Sequence, residues 1–328
     1  MELSEYFSSL GAVFEEARVL RFTDSAKEFE YLEDAVLCPL ANGQIRITGD
    51  DRLDFVHGQV TNQVKNLALN SFSENLLLNH KGHALVDLRV FRRTDDLYLT
   101  IEDSSEFCLV RFKKHIIFDK VVLEDLSNKL MTFTVQGKNA KKHLEAALAS
   151  PMPKAGEFIE LNFENAKILV NPAQRTVYGG YDINLCISDS FRVFKKLLAA
   201  GIKPSGEEAL EFSRVEAKIP IAIKDAGPGV LPQEAGLEPK LSYNKGCYLG
   251  QEIIARIHAR SSLPRSLKRL RLEAMPAKKR ADILLAAKKI GVLGTVVKHP
   301  KLGLIALAVI KDNIETTEFD IGGVKASL

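Results

Sequence analysis

Residues 84–101 read ALVDLRVFRRTDDLYLTI, and this stretch decides the fold class. Val86, Leu88 and Val90 alternate with Asp87, Arg89 and Phe91, and Leu97, Leu99 and Ile101 resume a period-two face beyond Asp95 and Asp96. Successive side chains of a strand point to opposite faces and an aspartate pair is turn chemistry, so the stretch reads as a hairpin. Antiparallel neighbours need no crossover helix, whereas parallel ones do. The flanking signals also lack the regular strand, helix, strand rhythm of a parallel sheet. The class expected is therefore α+β.

Working outward, residues 43–49 read as a strand with Ile45 and Ile47 on one face, followed from about Asp50 by a short amphipathic helix carrying Leu53 and Val56. A helix is expected from Ser104 or Ser105, whose hydroxyls can accept bonds from exposed amides, to about Phe118. Met131, Phe133 and Val135 mark another strand. Two helices follow between about residues 188 and 218; one ends near Gly201, and the next opens with Ser205 and Glu208 in capping-box spacing. Residues 225–246 are rich in Gly and Pro, with Pro228, Pro232 and Pro239 interrupting any regular element. A structureless stretch of more than ~15 residues in a compact domain is usually a functional loop or linker. Beyond Pro264 come short strands, with Leu267, Leu270 and Leu272 first and residues 290–298, 302–311 and 318–328 after them, and a small C-terminal β-barrel fits these best.

Composition narrows the function classes. The chain has 328 residues, 45 Lys plus Arg against 42 Asp plus Glu, and no Trp. A net charge of +3 is too near balance for a nucleic-acid or membrane-surface protein, because binding phosphates needs a concentrated positive field. The longest apolar run, residues 302–310, is about half of the ~18 that would suggest a membrane span. The first twenty residues carry Glu2, Glu5, Glu15 and Glu16 and lack the basic start and apolar stretch of an export signal, so a cytoplasmic protein is expected. Cys38, Cys108, Cys186 and Cys247 are scattered with no CxxC pair, which predicts reduced thiols.

The most informative chemistry lies at residues 245–252, KGCYLGQE, which close the long loop and open a helix over about 251–260. A thiol just ahead of a helix meets its partial positive charge, and Lys245 adds a nearby cation; both favour thiolate. Cys247 is the nucleophile candidate, since in a polar, glycine-containing loop it has little apolar cover. Cys38 before Pro39, Cys108 within a helix and Cys186 between Leu185 and Ile187 read as packing residues. Their scatter is a poor match for an iron-sulfur ligand set. His80 and His83 read as a polar turn, so no metal site is expected. A hydrolase pair of Cys247 with His258 is disfavoured, because their spacing along one helix start does not aim the imidazole at sulfur. Arg256, His258, Arg260, Arg265, Lys268, Arg269 and Arg271 form a basic run without interleaved aromatics, which reads as a solvated face rather than an RNA site. Arg214 and Glu216, among Leu210, Phe212, Val215 and Ala217, either pair with each other or line a pocket.

With these residues in view, the chain resembles the YgfZ-type branch of the glycine-cleavage T-protein family, and the KGCYLGQE segment carries the resemblance most specifically. Ile47-Thr48-Gly49 followed by residues 58–62, GQVTN, is similar to the family's N-terminal strand and helix. Residues 78–91 are similar to its central hairpin, 214–217 to its arginine-bearing helix, and 231–235 to the approach to the cysteine motif. The resemblance implies a three-domain T-protein-like ring around a folate-binding cavity. Its first domain would take residues 1–48 plus 129–245, its second 49–128, and its third 246–328 with the barrel. It further implies tetrahydrofolate as cofactor, with Arg214, Tyr181, Glu216 and Gln251 facing it and Cys247, Lys245 and Asp87 as the reactive group. Two departures set the chain apart from the aminomethyltransferase: Val86 precedes Asp87 where T-proteins commonly pair aspartates, and Tyr181 stands where they place a pterin-holding glutamate. A phenol cannot reproduce a carboxylate's two-point acceptance from a pterin.

The function expected is tetrahydrofolate binding in support of the synthesis or repair of iron-sulfur enzymes, by way of Cys247. Its alternatives are a tetrahydrofolate-dependent aminomethyl- or methyltransferase using Asp87, and a noncatalytic scaffold for client proteins. The expected partners are folate and iron-sulfur enzymes or their assembly proteins, with no membrane and no direct nucleic-acid contact, and a monomeric state.

Overall fold

A computed structural model describes residues 3–259 and 263–328. Two compact units divide the chain: one draws on residues 3–55, 64–73 and 89–213, the other on residues 56–63, 74–88 and 214–328. The α+β class expected from the hairpin holds, and so does the barrel.

In the first unit a six-stranded sheet has the order Ile159–Phe163, Ala166–Ala173, Gly180–Cys186, Leu130–Gln136, Val36–Leu40 and Lys203–Pro204, antiparallel except for the last pair. Alternation gives the sheet two unlike faces. Phe133, Val135, Ile183 and Leu185 join Leu144, Val193, Phe194 and Leu197, from helices Ala140–Leu148 and Ile187–Ala199, in one apolar core. Ring pairs such as Phe7 with Phe194, centroids 4.8 Å apart, lock it. The other face is polar and buried, and its groups satisfy one another: Thr132 donates to Asn184 Oδ1 at 2.7 Å and Gln136 Nε2 to Thr134 Oγ1 at 2.8 Å. Leaving such groups unpaired would cost about 1–3 kcal/mol each.

The strands of the opening hairpin, Ala84–Arg92 and Leu97–Ile101, lie side by side in a five-stranded sheet of order Ser71–Leu78, Ala84–Arg92, Leu97–Ile101, Gly43–Thr48, Val122–Asp125. The expected helices are present at Arg52–Gln59, Glu106–His115, Ile187–Ala199 and Glu207–Glu216. The capping box is not. Glu208 accepts from the Ser25 hydroxyl and pairs with Arg21, and Ser205 donates to the Gly206 carbonyl.

In the second unit a closed six-stranded barrel runs Arg265–Leu272, Gly303–Lys311, Lys288–His299, Asp282–Leu285, Glu318–Ile321, Val324–Ser327. Leu270, Ile283, Leu293, Ala306, Ile310 and Phe319 fill it. Residues 225–246 contain only short helical turns, Ala222–Ala226 and Glu238–Lys240. Among the described residues, no helix is long and apolar enough to cross a membrane.

The packing expectation for Cys186 is overturned. Cys38 and Cys108 are buried, but Cys186 is exposed. It is the last residue of its strand, in phase with the polar Asp182 and Asn184 and at the start of helix Ile187–Ala199, where the chain leaves the sheet. It lines a cleft of about 420 Å³ with Arg93, Tyr98, Lys167, Leu169 and Asn184.

Candidate functional site

The cysteine segment is held from both sides while its thiol is left exposed. Before it, the buried Lys245 donates from Nζ to three carbonyl oxygens around the end of helix Arg52–Gln59: His57 at 2.5 Å, Val60 at 2.6 Å and Asn62 at 3.1 Å. A cation capping carbonyls at a helix C-terminus also meets the negative end of the dipole. Burial pushes the Lys245 pKa down to about 7, against the pull of those acceptors, and the ammonium sits over the Tyr248 ring, 5.0 Å from its centroid. Behind the thiol, Gln251 opens helix Gln251–Ala259 and reaches back, its Nε2 donating to the Lys245 carbonyl at 3.2 Å and its Oε1 accepting from the Tyr248 amide at 3.3 Å. Gly250, at φ +86°, lies so close to Asn79 that a Cβ there would come within 2.6 Å of the Asn79 carbonyl oxygen. Cys247 is exposed in the middle of this frame. The Tyr248 hydroxyl is buried without a hydrogen-bond partner among the described residues, and burial pushes its phenol up to about 12.

The charge of Lys245 is thus directed at carbonyls, a placement that the sequence reading, which set it beside the thiol, did not anticipate. Asp87 is 3% exposed and both its oxygens are engaged, Oδ1 by Lys240 Nζ at 2.6 Å and Oδ2 by the Ala222 amide at 2.5 Å. Arg214, also 3% exposed, pairs with Asp225 rather than Glu216: its Nη1 donates to Asp225 Oδ2 and the Ile219 carbonyl, both at 2.7 Å, and its Nη2 to Thr295 Oγ1 at 2.7 Å. Asp225 Oδ1 in turn accepts from the Thr295 amide and hydroxyl. Glu216 lies 3.4 Å from His299, and its carbonyl accepts from Arg269 at 2.8 Å.

Tyr181 belongs to the first unit and packs, half-buried, against the apolar core. Its neighbour Asp182 points to the other face and is held by Arg175 at 2.7 Å and Arg89 at 3.2 Å, with Glu102 bridging the same two arginines. Asp182 and its arginines escaped the sequence reading, as did Lys240, Asp225 and His57. Strand alternation could have placed Asp182 opposite Tyr181; the other pairings join residues far apart in sequence and leave no local signal.

The basic run is divided among acceptors. Arg265 is bound to Glu234 at 2.7–2.8 Å, Lys268 to Asp312 at 3.1 Å and Arg269 to the Glu216 carbonyl, while Arg260 lies outside the described residues. His258 stacks on Tyr243 with centroids 3.7 Å apart. His83 donates its amide, as does Lys81, to Asn79 Oδ1, the polar turn expected there. No group of three or more metal-ligating side chains occurs among the described residues.

The paired sheets and closed barrel define a T-protein architecture. The crystal structure of glycine cleavage system aminomethyltransferase T from Bartonella henselae matches it with a TM-score of 0.85 at 19% identity, over 100% of this chain and 96% of that one. Residues 10–245 match the model of the GCVT N-terminal domain, and the chain belongs to that family. Similar relatives include a chloroplastic protein of Arabidopsis thaliana that carries the name of a transferase, 26% identical over 86% of this chain and 67% of that one. The aminomethyltransferase of Halalkalibacterium halodurans is 25% identical over 79% of this chain and 73% of its own length.

Proposed function

We propose that this protein is a YgfZ-type member of the family that supports the synthesis or repair of iron-sulfur enzymes through the thiol of Cys247. One observation carries the reading. A buried lysine, a bracing glutamine and a tightly packed glycine hold residues 245–251 in place, yet the thiol among them is exposed. Reactivity of a cysteine follows access and thiolate character, and a packing role would bury the sulfur instead. The iron-sulfur clients come from the resemblance, with the monomeric, cytoplasmic state and the three-domain division at residues 48/49, 128/129 and 245/246. The test is to assay iron-sulfur enzyme activities in a strain lacking the gene: reduced activities support the reading, and normal ones remove it.

Tetrahydrofolate binding is proposed on kinship alone. The residues that the resemblance assigns to it do not fit a ligand as placed. Arg214 is committed to Asp225, Ile219 and Thr295, Glu216 neighbours His299, Gln251 braces the cysteine loop, and Tyr181 packs on a core. A bound folate would therefore be held by other contacts.

The aminomethyltransferase reading is favoured by the names of the bacterial relatives. Against it stand Val86 and an Asp87 whose two oxygens are already bonded. Turnover with purified glycine-cleavage carrier protein would move this chain to that class.

A further inference from the structure

We propose that the cleft lined by Lys167 and Cys186 in the first unit holds a small disulfide bearing carboxylates, and that Cys186 exchanges with it to form a mixed disulfide. The cleft, of about 420 Å³, lies wholly within residues 89–213. Small-molecule sites run from ~300 to ~1,000 Å³, so it is of ligand size. Strand pairing builds its floor. Asn162 is opposite Lys167, Glu160 opposite Leu169 and Leu169 opposite Asn184, while the pairing of Ile168 with Leu185 sets Lys167 across from Cys186. Side chains alternate along a strand and directly opposite residues share a face, so these six stand together on one face of three neighbouring strands. Arg93 and Tyr98 line the cleft from the other sheet.

The charges of the lining leave one cation over. Arg93 donates to Asp96 from Nε at 2.6 Å and from Nη2 at 2.7 Å, and its Nη1 answers Glu160, the acid of the lining, at 3.3 Å. Lys167 is exposed and makes no ion pair among the described residues. Tyr98 and Leu169 supply apolar wall, and Asn162 supplies an exposed amide. Cys186 is a free thiol that makes no capping hydrogen bond to helix Ile187–Ala199, which opens at the next residue. The ligand that answers all of these offers a carboxylate to Lys167, an aliphatic body to Leu169 and Tyr98, and a sulfur to Cys186. In the step, the Cys186 sulfur loses its proton and bonds to one sulfur of the disulfide. The S–S bond breaks, and the departing sulfur leaves as thiolate and takes up a proton. Cys186 is oxidised by the disulfide, which is itself reduced to one thiol and one half held on the protein.

The test treats the full chain with glutathione disulfide, which bears carboxylates, and separately with 2-hydroxyethyl disulfide, which is neutral. Peptide mass spectrometry locates the adducts and follows their rates, with the exposed Cys247 as an internal reference for each reagent. At Cys186 the preference for glutathione disulfide over the neutral reagent should fall about twofold to fivefold in Lys167→Gln, the change that one exposed ion pair gives. Lys167→Arg should keep the preference, and added salt should narrow it in the parent protein, since exposed charges are screened. The preference at Cys247 should not respond to Lys167. Absence of a mixed disulfide at Cys186 would overturn the proposal. So would a reagent preference at Cys186 that neither Lys167→Gln nor salt alters, in proteins of equal melting temperature.

Discussion

Burying an ammonium or a guanidinium costs several kcal/mol unless hydrogen bonds replace its water, and Lys245 and Arg214, both buried in the second unit, meet this in different ways. Lys245 takes three carbonyls around a helix end, which ties the cysteine loop to residues 57–62. Arg214 takes a carboxylate, a carbonyl and a hydroxyl, and Asp225, 2% exposed, has that arginine as its counter-charge. Arg214→Ala would take from Asp225 the guanidinium bonded to it and leave Arg280 as its charged neighbour. It should therefore destabilise the protein by about 3–5 kcal/mol in urea unfolding, the range for breaking one partner out of a buried pair. A change below about 1 kcal/mol would mean that Arg214 is not structural and return it to the ligand contacts expected from the resemblance. The sequence made Cys247 legible because its evidence is local: a glycine-flanked thiol ahead of a helix. It could not show where Arg214, Lys245 or Asp87 direct their charges, since Asp87 and Lys240 are 153 positions apart and their pairing exists only in the fold.

Elements were legible where periodicity was clean. The 84–101 hairpin, the 130–136 strand and the 187–199 helix lie where alternation or amphipathic spacing put them. The barrel strand Asp282–Leu285 was missed because its apolar residues Ile283, Leu284 and Leu285 are consecutive and show no alternation. Cys186 was misread because a strand's last residue leaves the sheet's cover even when its neighbours are buried. The irregular stretch before residue 246 was recognised by its prolines, yet its constraints are tertiary. Gly250 shows them: it combines φ +86° with a 2.6 Å approach to the Asn79 carbonyl oxygen. Gly250→Ala should destabilise by more than about 1 kcal/mol, because alanine can neither adopt that φ cheaply nor fit there. It should also alter alkylation of Cys247. An alanine variant as stable as the parent, with the same thiol reactivity, would show that the frame does not govern the cysteine.

At the scale of the whole molecule, the architecture and family follow from a TM-score of 0.85 and a family match over residues 10–245, while the ligand does not. With Arg214 tied to Asp225 and Tyr181 packed half-buried against a core, calorimetry with tetrahydrofolate should give weak binding, and a native-state ligand must also raise the melting temperature by mass action. No heat and no stabilisation at millimolar ligand would remove folate from the account. The central claim concerns Cys247, and the most direct measurement is the recovery of iron-sulfur enzyme activity when a deletion strain carries either the parent gene or Cys247→Ser. Serine changes little volume at an exposed site and lacks a thiol's pKa near 8.5, so the variant should melt like the parent. The account predicts recovery with the parent gene and none with the serine variant at equal protein level; full recovery by Cys247→Ser would contradict it and make the motif architectural.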